Sequence, residues 1–147
     1  GPDGVSFVED HDIVYREAAK PGETQRDPKP ALTDATWSKK IMADPVLLFR
    51  FSALTFNSHR IHYDLPYAVD QENYRGLVVH GPLTATLLLD LAQRELGDNA
   101  LKSFAFRGMS PAICGEMLHL VLRSKEAGWE LGAFAADGRQ VMGASAS

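Results

Sequence analysis

Leu83-Thr-Ala-Thr-Leu-Leu-Leu-Asp-Leu-Ala-Gln-Arg-Glu-Leu96 is the stretch on which the fold turns. Leu83, Leu87, Leu88, Leu91 and Leu96 recur near the 3.6-residue period, which predicts a helix. Pro82 suits its first turn, where a missing N–H is no loss, and Gly97 suits its C-terminal stop. Ala85, Leu89 and Ala92 widen the apolar surface, so this helix is expected to be wrapped on several sides. Beyond Gly97 the period becomes two. Ser103 to Arg107 alternates, as does Glu116 to Arg123, where Leu118, Leu120 and Leu122 share one face. Trp129 to Ala135 and Gln140 to Ala144 complete a set of four runs, with turns at Ala127-Gly128 and Asp137-Gly138. A long apolar helix followed by an antiparallel meander predicts an α+β architecture with the helix lying on the sheet.

On the N-terminal side, Asp12-Ile-Val-Tyr-Arg16 is β-prone but has no sequential hairpin partner. Lys20 to Pro30 holds three of the eight prolines and has the composition of a linker. Ala31 to Asp44 mixes helix formers with threonines, and Asp44-Pro45 marks an element boundary. Val46-Leu-Leu-Phe-Arg-Phe-Ser-Ala-Leu54 is apolar and continuous, which predicts a strand over 46–53 buried on both faces. The expected organisation is an N-terminal strand or remnant over 1–20, a linker over 21–45 and a main domain over 46–147. Between that expected strand and the helix lies Phe51-Ser-Ala-Leu-Thr-Phe-Asn-Ser-His-Arg-Ile-His-Tyr-Asp-Leu-Pro-Tyr-Ala68, too rich in polar groups to be built as core.

Composition narrows the function. The chain has 147 residues, 45% hydrophobic and 23% charged, which suits one soluble domain with one core. A net charge of −4 with scattered basic residues argues against nucleic acid. The single cysteine, Cys114, allows no intrachain disulfide. No apolar run is long enough for a membrane span and no signal-peptide pattern is seen, so a cytoplasmic protein is expected, or a mitochondrial-matrix one in a eukaryote.

Histidine is the first choice for moving a proton near neutral pH, and there are five: His11, His59, His62, His80 and His119. His119 lies in a regular alternation and His11 before the linker, so both read as structural or exposed. His59 and His62 stand three apart in the polar stretch, and His80 precedes Gly81 at the helix entry. No zinc pattern completes His59-x-x-His62, so no metal is expected. No Gly-x-Ser-x-Gly elbow or Gly-rich phosphate loop is present. Gly81 could offer a backbone N–H to a developing oxyanion, or it could simply serve the turn.

Phe51 to Ala68 resembles the signature of (R)-specific enoyl-CoA hydratases and MaoC-like dehydratases. The family pattern runs from an aromatic through Ser/Thr-Gly-Asp-x-Asn-Pro-aliphatic-His to an alanine after five more residues. Thr55, Ile61, His62 and Ala68 match it, and Val79-His80-Gly81 resembles the family's second element, aliphatic-Ala-His-Gly. Asn57, His59 and Arg60 depart from it, replacing aspartate, asparagine and proline. That variant resembles type 2 hydroxyacyl-thioester dehydratases and mesaconyl-CoA hydratase-like proteins, which often carry two hot-dog repeats. The resemblance covers about Val46 to Ser147 and implies a hot-dog fold, with residues 6–17 as the last strand of a preceding repeat.

It also implies reversible hydration of an α,β-unsaturated acyl thioester, carried by CoA or acyl carrier protein, on a group such as mesaconyl or itaconyl. His62 would be the general base and acid, with Asn57 orienting water. Gly81 and His80 would form the oxyanion side, and Arg60, His59 and Tyr63 would shape the pocket or bind substrate. A salt bridge from Arg60 to Asp64 or Glu72 is the structural alternative. No cofactor is implied beyond the coenzyme A of the substrate, and a homodimer or double hot-dog pseudo-dimer is expected. An acyl-CoA thioesterase and a non-catalytic acyl-binding repeat remain the rivals.

Overall fold

The computed structural model describes residues 2–5, 7–13 and 35–147. Its elements are built around the leucine-rich helix. Strand β1 (Trp37–Met42) leads into helix α1 (Pro45–Thr55); helix α2 (Gly81–Leu96) follows, then β2 (Phe104–Gly108), β3 (Met117–Lys125), β4 (Gly128–Ala135) and β5 (Gln140–Ala146). The five strands form one antiparallel sheet in the order β1-β3-β4-β5-β2. α2 lies against β3 and touches β1, β4 and β5, as a central helix wrapped by a sheet must.

The core follows from the two periodicities. Leu83, Leu88 and Leu91 of α2 are buried against Leu118, Leu120 and Leu122 of β3 and Leu131 and Ala133 of β4. Burying a leucine side chain contributes about 2–3 kcal/mol, so this cluster is the main source of stability. The hairpins close on glycine: Gly138 has φ +84°, and Gly128 has φ +122° where a Cβ would collide with the Ala146 carbonyl.

Three expectations are corrected. Residues 46–53 are helix, within α1, and not a strand. Asp44 caps that helix by accepting a 2.7 Å bond from the Leu47 N–H, and Pro45 occupies its first turn. The apolar run carried no 3.6 period because Val46, Phe49 and Leu54 point outward while Leu48 and Ser52 are buried. Second, the expected linker over 21–45 ends in structure: Trp37–Met42 pairs with β3, with Trp37, Lys39 and Ile41 on the inner face. Third, only β3, β4 and β5 form a meander. β2 crosses to the far edge and pairs with β5, Phe104 opposite Ala146. Residues 7–13 are exposed and irregular, His11 among them, and most of the β-prone run expected over 12–16 lies outside the described residues.

Phe56 ends α1 in the left-handed conformation, φ 53°. The pattern that the Phe51–Ala68 stretch resembles has glycine where this chain has Phe56, and the backbone accounts for that glycine, since a bulky residue is strained at positive φ. Phe56 is also 95% exposed and Leu54 is 80% exposed, so α1 presents an apolar outer edge.

Candidate active site

Two short segments meet below the first turn of α2. The chain leaves α1 at Phe56 and enters a single 3-10 turn, Arg60–His62. Asn57 sets that turn up: its Oδ1 accepts a 2.9 Å bond from the His59 N–H. The second segment, residues 77–79, bridges to Ile113 through Val78. The Leu77 carbonyl accepts from the Cys114 N–H, and the Val79 N–H donates to the Ala112 carbonyl. Val78 then clamps the two segments together. Its N–H donates to the Ile61 carbonyl at 2.9 Å, and its carbonyl accepts from His62 Nδ1 at 2.7 Å. Ile61, Ala68, Val78 and Ile113 form a small buried cluster beneath this clamp.

That second bond determines the chemistry of His62. A carbonyl can only accept, so Nδ1 carries a proton and the basic lone pair of the neutral ring is on Nε2. The ring is buried, with the residue 7% exposed. Burial pushes its pKa below the ordinary imidazole value; the Val78 carbonyl works against that shift, and neighbouring His59 adds to it. At neutral pH His62 is therefore an uncharged base with one assigned tautomer.

His80 lies directly against it. The two imidazoles stack with centroids 3.6 Å apart and planes 19° from parallel. His80 is fully buried, its Nε2 is 2.8 Å from Ser52 Oγ, and Phe51 meets its ring edge-on at 4.9 Å. Its Nδ1 has no hydrogen-bond partner among the described residues. Burial, with His62 adding, lowers the His80 pKa to about 4. Gly81 follows as the first residue of α2, where helix geometry leaves the N–H without an intrahelical acceptor.

The structure thus brings His62, His80 and, through the chain, Gly81 together, with His59 at the edge (5.6 Å ring to ring from His62). Asn57 serves the His59 backbone. Arg60 does not reach this cluster: its Nη2 is 2.7 Å from Asp64 Oδ2, and its guanidinium lies over the Tyr67 ring at 4.2 Å. The salt-bridge alternative for Arg60 is the one observed, with Asp64 as partner. Glu72 instead accepts from the Tyr67 hydroxyl. The Tyr63 hydroxyl donates to the Ser58 carbonyl at 2.8 Å and braces the same loop. Asp64 also accepts from the Tyr67 N–H, starting a π-helical turn over Tyr67–Gln71 that buries Ala68. His119 sits half-buried in β3 opposite Phe134, away from these rings. Burial raises the Cys114 thiol pKa, and Asp44 adds to the shift, the opposite of what an activated nucleophile needs.

Ser52 and Phe51 belong to the site although sequence reasoning gave them no role. A signal existed: Ser52 is one helical turn beyond Leu48 on the buried face, and a buried hydroxyl needs a partner.

The His80 shift makes stability pH-dependent. Above about 6.5, the ordinary imidazole value, His80 is neutral in folded and unfolded chains alike. As pH falls from there to about 4, the unfolded chain takes up a proton that the folded chain refuses, so stability is lost on the acid side. The loss expected from this one group at about pH 5 is about 2 kcal/mol. Urea denaturation at about pH 7.5 and about pH 5 measures the total, and His80→Asn should remove the share due to His80 while the smaller share from the buried His62 remains.

The hydroxyacyl-thioester dehydratase type 2 family profile matches residues 1–114. Mesaconyl-C(4)-CoA hydratase of Chloroflexus aurantiacus is 48% identical over 108 residues, 73% of this chain and 38% of that protein. The mitochondrial type 2 hydroxyacyl-thioester dehydratase of Schizosaccharomyces pombe is 40% identical over 81 residues, 53% of this chain and 27% of that protein. The chain therefore spans about two fifths of the length of the first relative and about a quarter of the second. Among solved structures, the (R)-hydratase of A. caviae superposes with a TM-score of 0.64 at 18% identity, over 75% of this chain and 89% of that one. That likeness establishes the hot-dog fold. Among the described residues no helix is long and apolar enough to cross a membrane.

Proposed function

The chain belongs to the hydroxyacyl-thioester dehydratase type 2 family, and from that premise we propose that its site adds water reversibly across the α,β double bond of an acyl-CoA thioester. The observation that carries this reading is His62. Its Nδ1 proton is held by the Val78 carbonyl, so the remaining nitrogen is a neutral base below the N-terminal turn of α2.

The reaction needs one group that accepts a proton and returns it. Water oxygen bonds to Cβ while one water proton passes to His62 Nε2. The π electrons of the double bond move toward the thioester carbonyl and leave an enolate. His62 then gives the proton back to Cα, so a complete water is added and His62 is regenerated. The enolate oxygen needs donors, and the Gly81 N–H at the positive end of α2 is suited to supply one. Asn57 cannot ionise. With its Oδ1 committed to His59, its NH2 group is what remains to direct a water. His59, exposed at the edge of the His62 ring, is left with a role in shaping the entrance.

Arg60 is assigned no substrate. Its charge is met by Asp64, and a carboxylate or CoA phosphate would have to displace that partner. In this reading Arg60, Asp64, Tyr63 and Tyr67 brace the loop that carries His62. The 48% identity to mesaconyl-C(4)-CoA hydratase favours a short dicarboxylic acyl group as substrate, carried on coenzyme A and requiring no other cofactor. Pairing of two hot-dog units, in two chains or in one, belongs to the same reading. The outward Phe49, Leu54 and Phe56 are apolar surface of the kind such an interface covers.

Hydration of mesaconyl-, itaconyl- and crotonyl-CoA, followed by loss of the enoyl-thioester absorbance, tests the proposal. Turnover of at least one, abolished by changing His62, is the expected result. Release of free coenzyme A from a saturated acyl-CoA would instead make the protein a thioesterase. Binding without turnover would make it an acyl-binding repeat.

A further inference from the structure

We propose that His80 is a positioning residue for His62: pinned by Ser52 and wedged by Phe51, it holds the His62 ring in one plane against the Val78 carbonyl that sets its tautomer, so that only Nε2 exchanges protons with substrate. This rests on His62 being the proton carrier.

Three observations carry it. First, the contact is face to face. Centroids 3.6 Å apart and planes within 19° mean that His62 cannot tilt or flip without pushing His80 aside. Second, His80 is itself held on two sides. Ser52 Oγ lies 2.8 Å from Nε2, and Phe51, one residue before Ser52 on α1, stands against the ring at 61°. The main chain fixes it as well, since the His80 carbonyl accepts from the Thr84 N–H and from Thr84 Oγ1. Third, the arrangement carries a cost that a leucine in the same space would avoid. His80 is fully buried with Nδ1 unpartnered among the described residues, and an unsatisfied buried polar atom destabilises the fold. Packing alone does not account for an imidazole here.

The orphaned Nδ1 also separates positioning from relay. A proton passed on from His62 would place charge on a buried ring with no acceptor for its second N–H among the described residues. The proton taken from water therefore stays on His62, available for return to Cα. The titratable group that faces His62 from its own loop is His59, at the ring edge; α1 presents Ser52 and Phe51 to His80, which are uncharged. The same anchoring sets the backbone of the residue before Gly81, so one side chain orients the base and the start of the helix together.

Imidazole nitrogen NMR on the whole chain, with kinetics alongside, tests this. In the wild type, His62 should show the Nδ1–H tautomer alone, and His80 should stay neutral across the range in which His62 titrates. His80→Ala should give His62 a mixture of tautomers and move its titration up toward the ordinary value of about 6.5. It should also lower kcat about tenfold with KM within about twofold. Ser52→Ala/His80→Phe restores an apolar plate with no unpaired group and should recover the single His62 tautomer. Should His80→Ala not fold, Ser52→Ala decides the matter: loss of the pin should let His80 populate both tautomers and broaden the His62 signals. An unchanged His62 tautomer and titration in a folded variant would overturn the proposal, as would His80 titrating in step with His62. Absence of hydration by the wild type would instead defeat the functional reading, and the NMR result would still stand on its own.

Discussion

His62→Gln is expected to lower kcat for hydration of an accepted enoyl-CoA by about a thousandfold, the middle of the range for losing a general acid–base group. Glutamine is the informative replacement. Its amide N–H can still donate to the Val78 carbonyl, so the clamp between the two segments keeps a partner while the basic nitrogen disappears. KM should change little, because the role proposed for Nε2 is on the reacting atoms and not in holding the acyl chain. The pH profile carries the second half of the expectation. Burial lowers the pKa of His62, so the acid limb of the wild-type profile should lie below the ordinary imidazole value and be absent from the residual rate of the variant. Stopped-flow and steady-state assays across that pH range, with thermal unfolding as a control for folding, measure both. A loss under about tenfold would remove His62 from the role of base.

How far the sequence led is best judged element by element. α2 was legible because its leucines keep the helical period and its ends are marked by Pro82 and Gly97. β3 was legible because Leu118, Leu120 and Leu122 recur on its inner face, and β4 and β5 because the turns before them end in Gly128 and Gly138. α1 was misread for a physical reason. It is apolar on both its buried and its outward faces, which erased the period and left an unbroken apolar run that suits a buried strand equally well. The deciding mark was local: Asp44-Pro45 was read as a boundary, whereas Asp44 is an N-cap and Pro45 the first residue of a helix. The position of β2 was beyond any local signal. Its pairing with β5 depends on a crossover at the sheet edge, and alternation says nothing about which neighbour a strand takes.

The site divides along the same line. The residues of the two motifs could be found by type and spacing, and His62, His80 and Gly81 do converge where the chain brings those motifs together. Their relations could not be read in advance. That Nδ1 of His62 is the protonated nitrogen depends on the Val78 carbonyl, 16 residues away. The stacking of His80 on His62 depends on α1 being a helix that delivers Ser52 and Phe51 to its far side. With 46–53 read as a strand, Ser52 had no reason to face anything. The misread element therefore hid the one polar contact that holds the buried ring.

Gly81→Ala separates binding geometry from folding at the other half of the site. The position needs no glycine for its own backbone: it starts α2, its φ is not positive, and a Cβ built there meets nothing within 4 Å. Alanine is also the better helix former by up to about 1 kcal/mol in a helix interior and less at an end. Stability should therefore hold or rise by a few tenths of a kcal/mol. Activity should move the other way. If the Gly81 N–H receives the enolate oxygen, the thioester carbonyl must approach within about 3 Å of that nitrogen, and the open space around Gly81 belongs to the substrate. A methyl group there would hold the carbonyl off the donor, and kcat/KM should fall about a hundredfold, mostly in kcat. Gly108→Ala is the matched control, since a Cβ at Gly108 likewise meets nothing within 4 Å and the residue ends the edge strand β2. Its activity should be unchanged. Equal activity in Gly81→Ala and Gly108→Ala would place the oxyanion elsewhere and leave Gly81 serving only the turn into the helix.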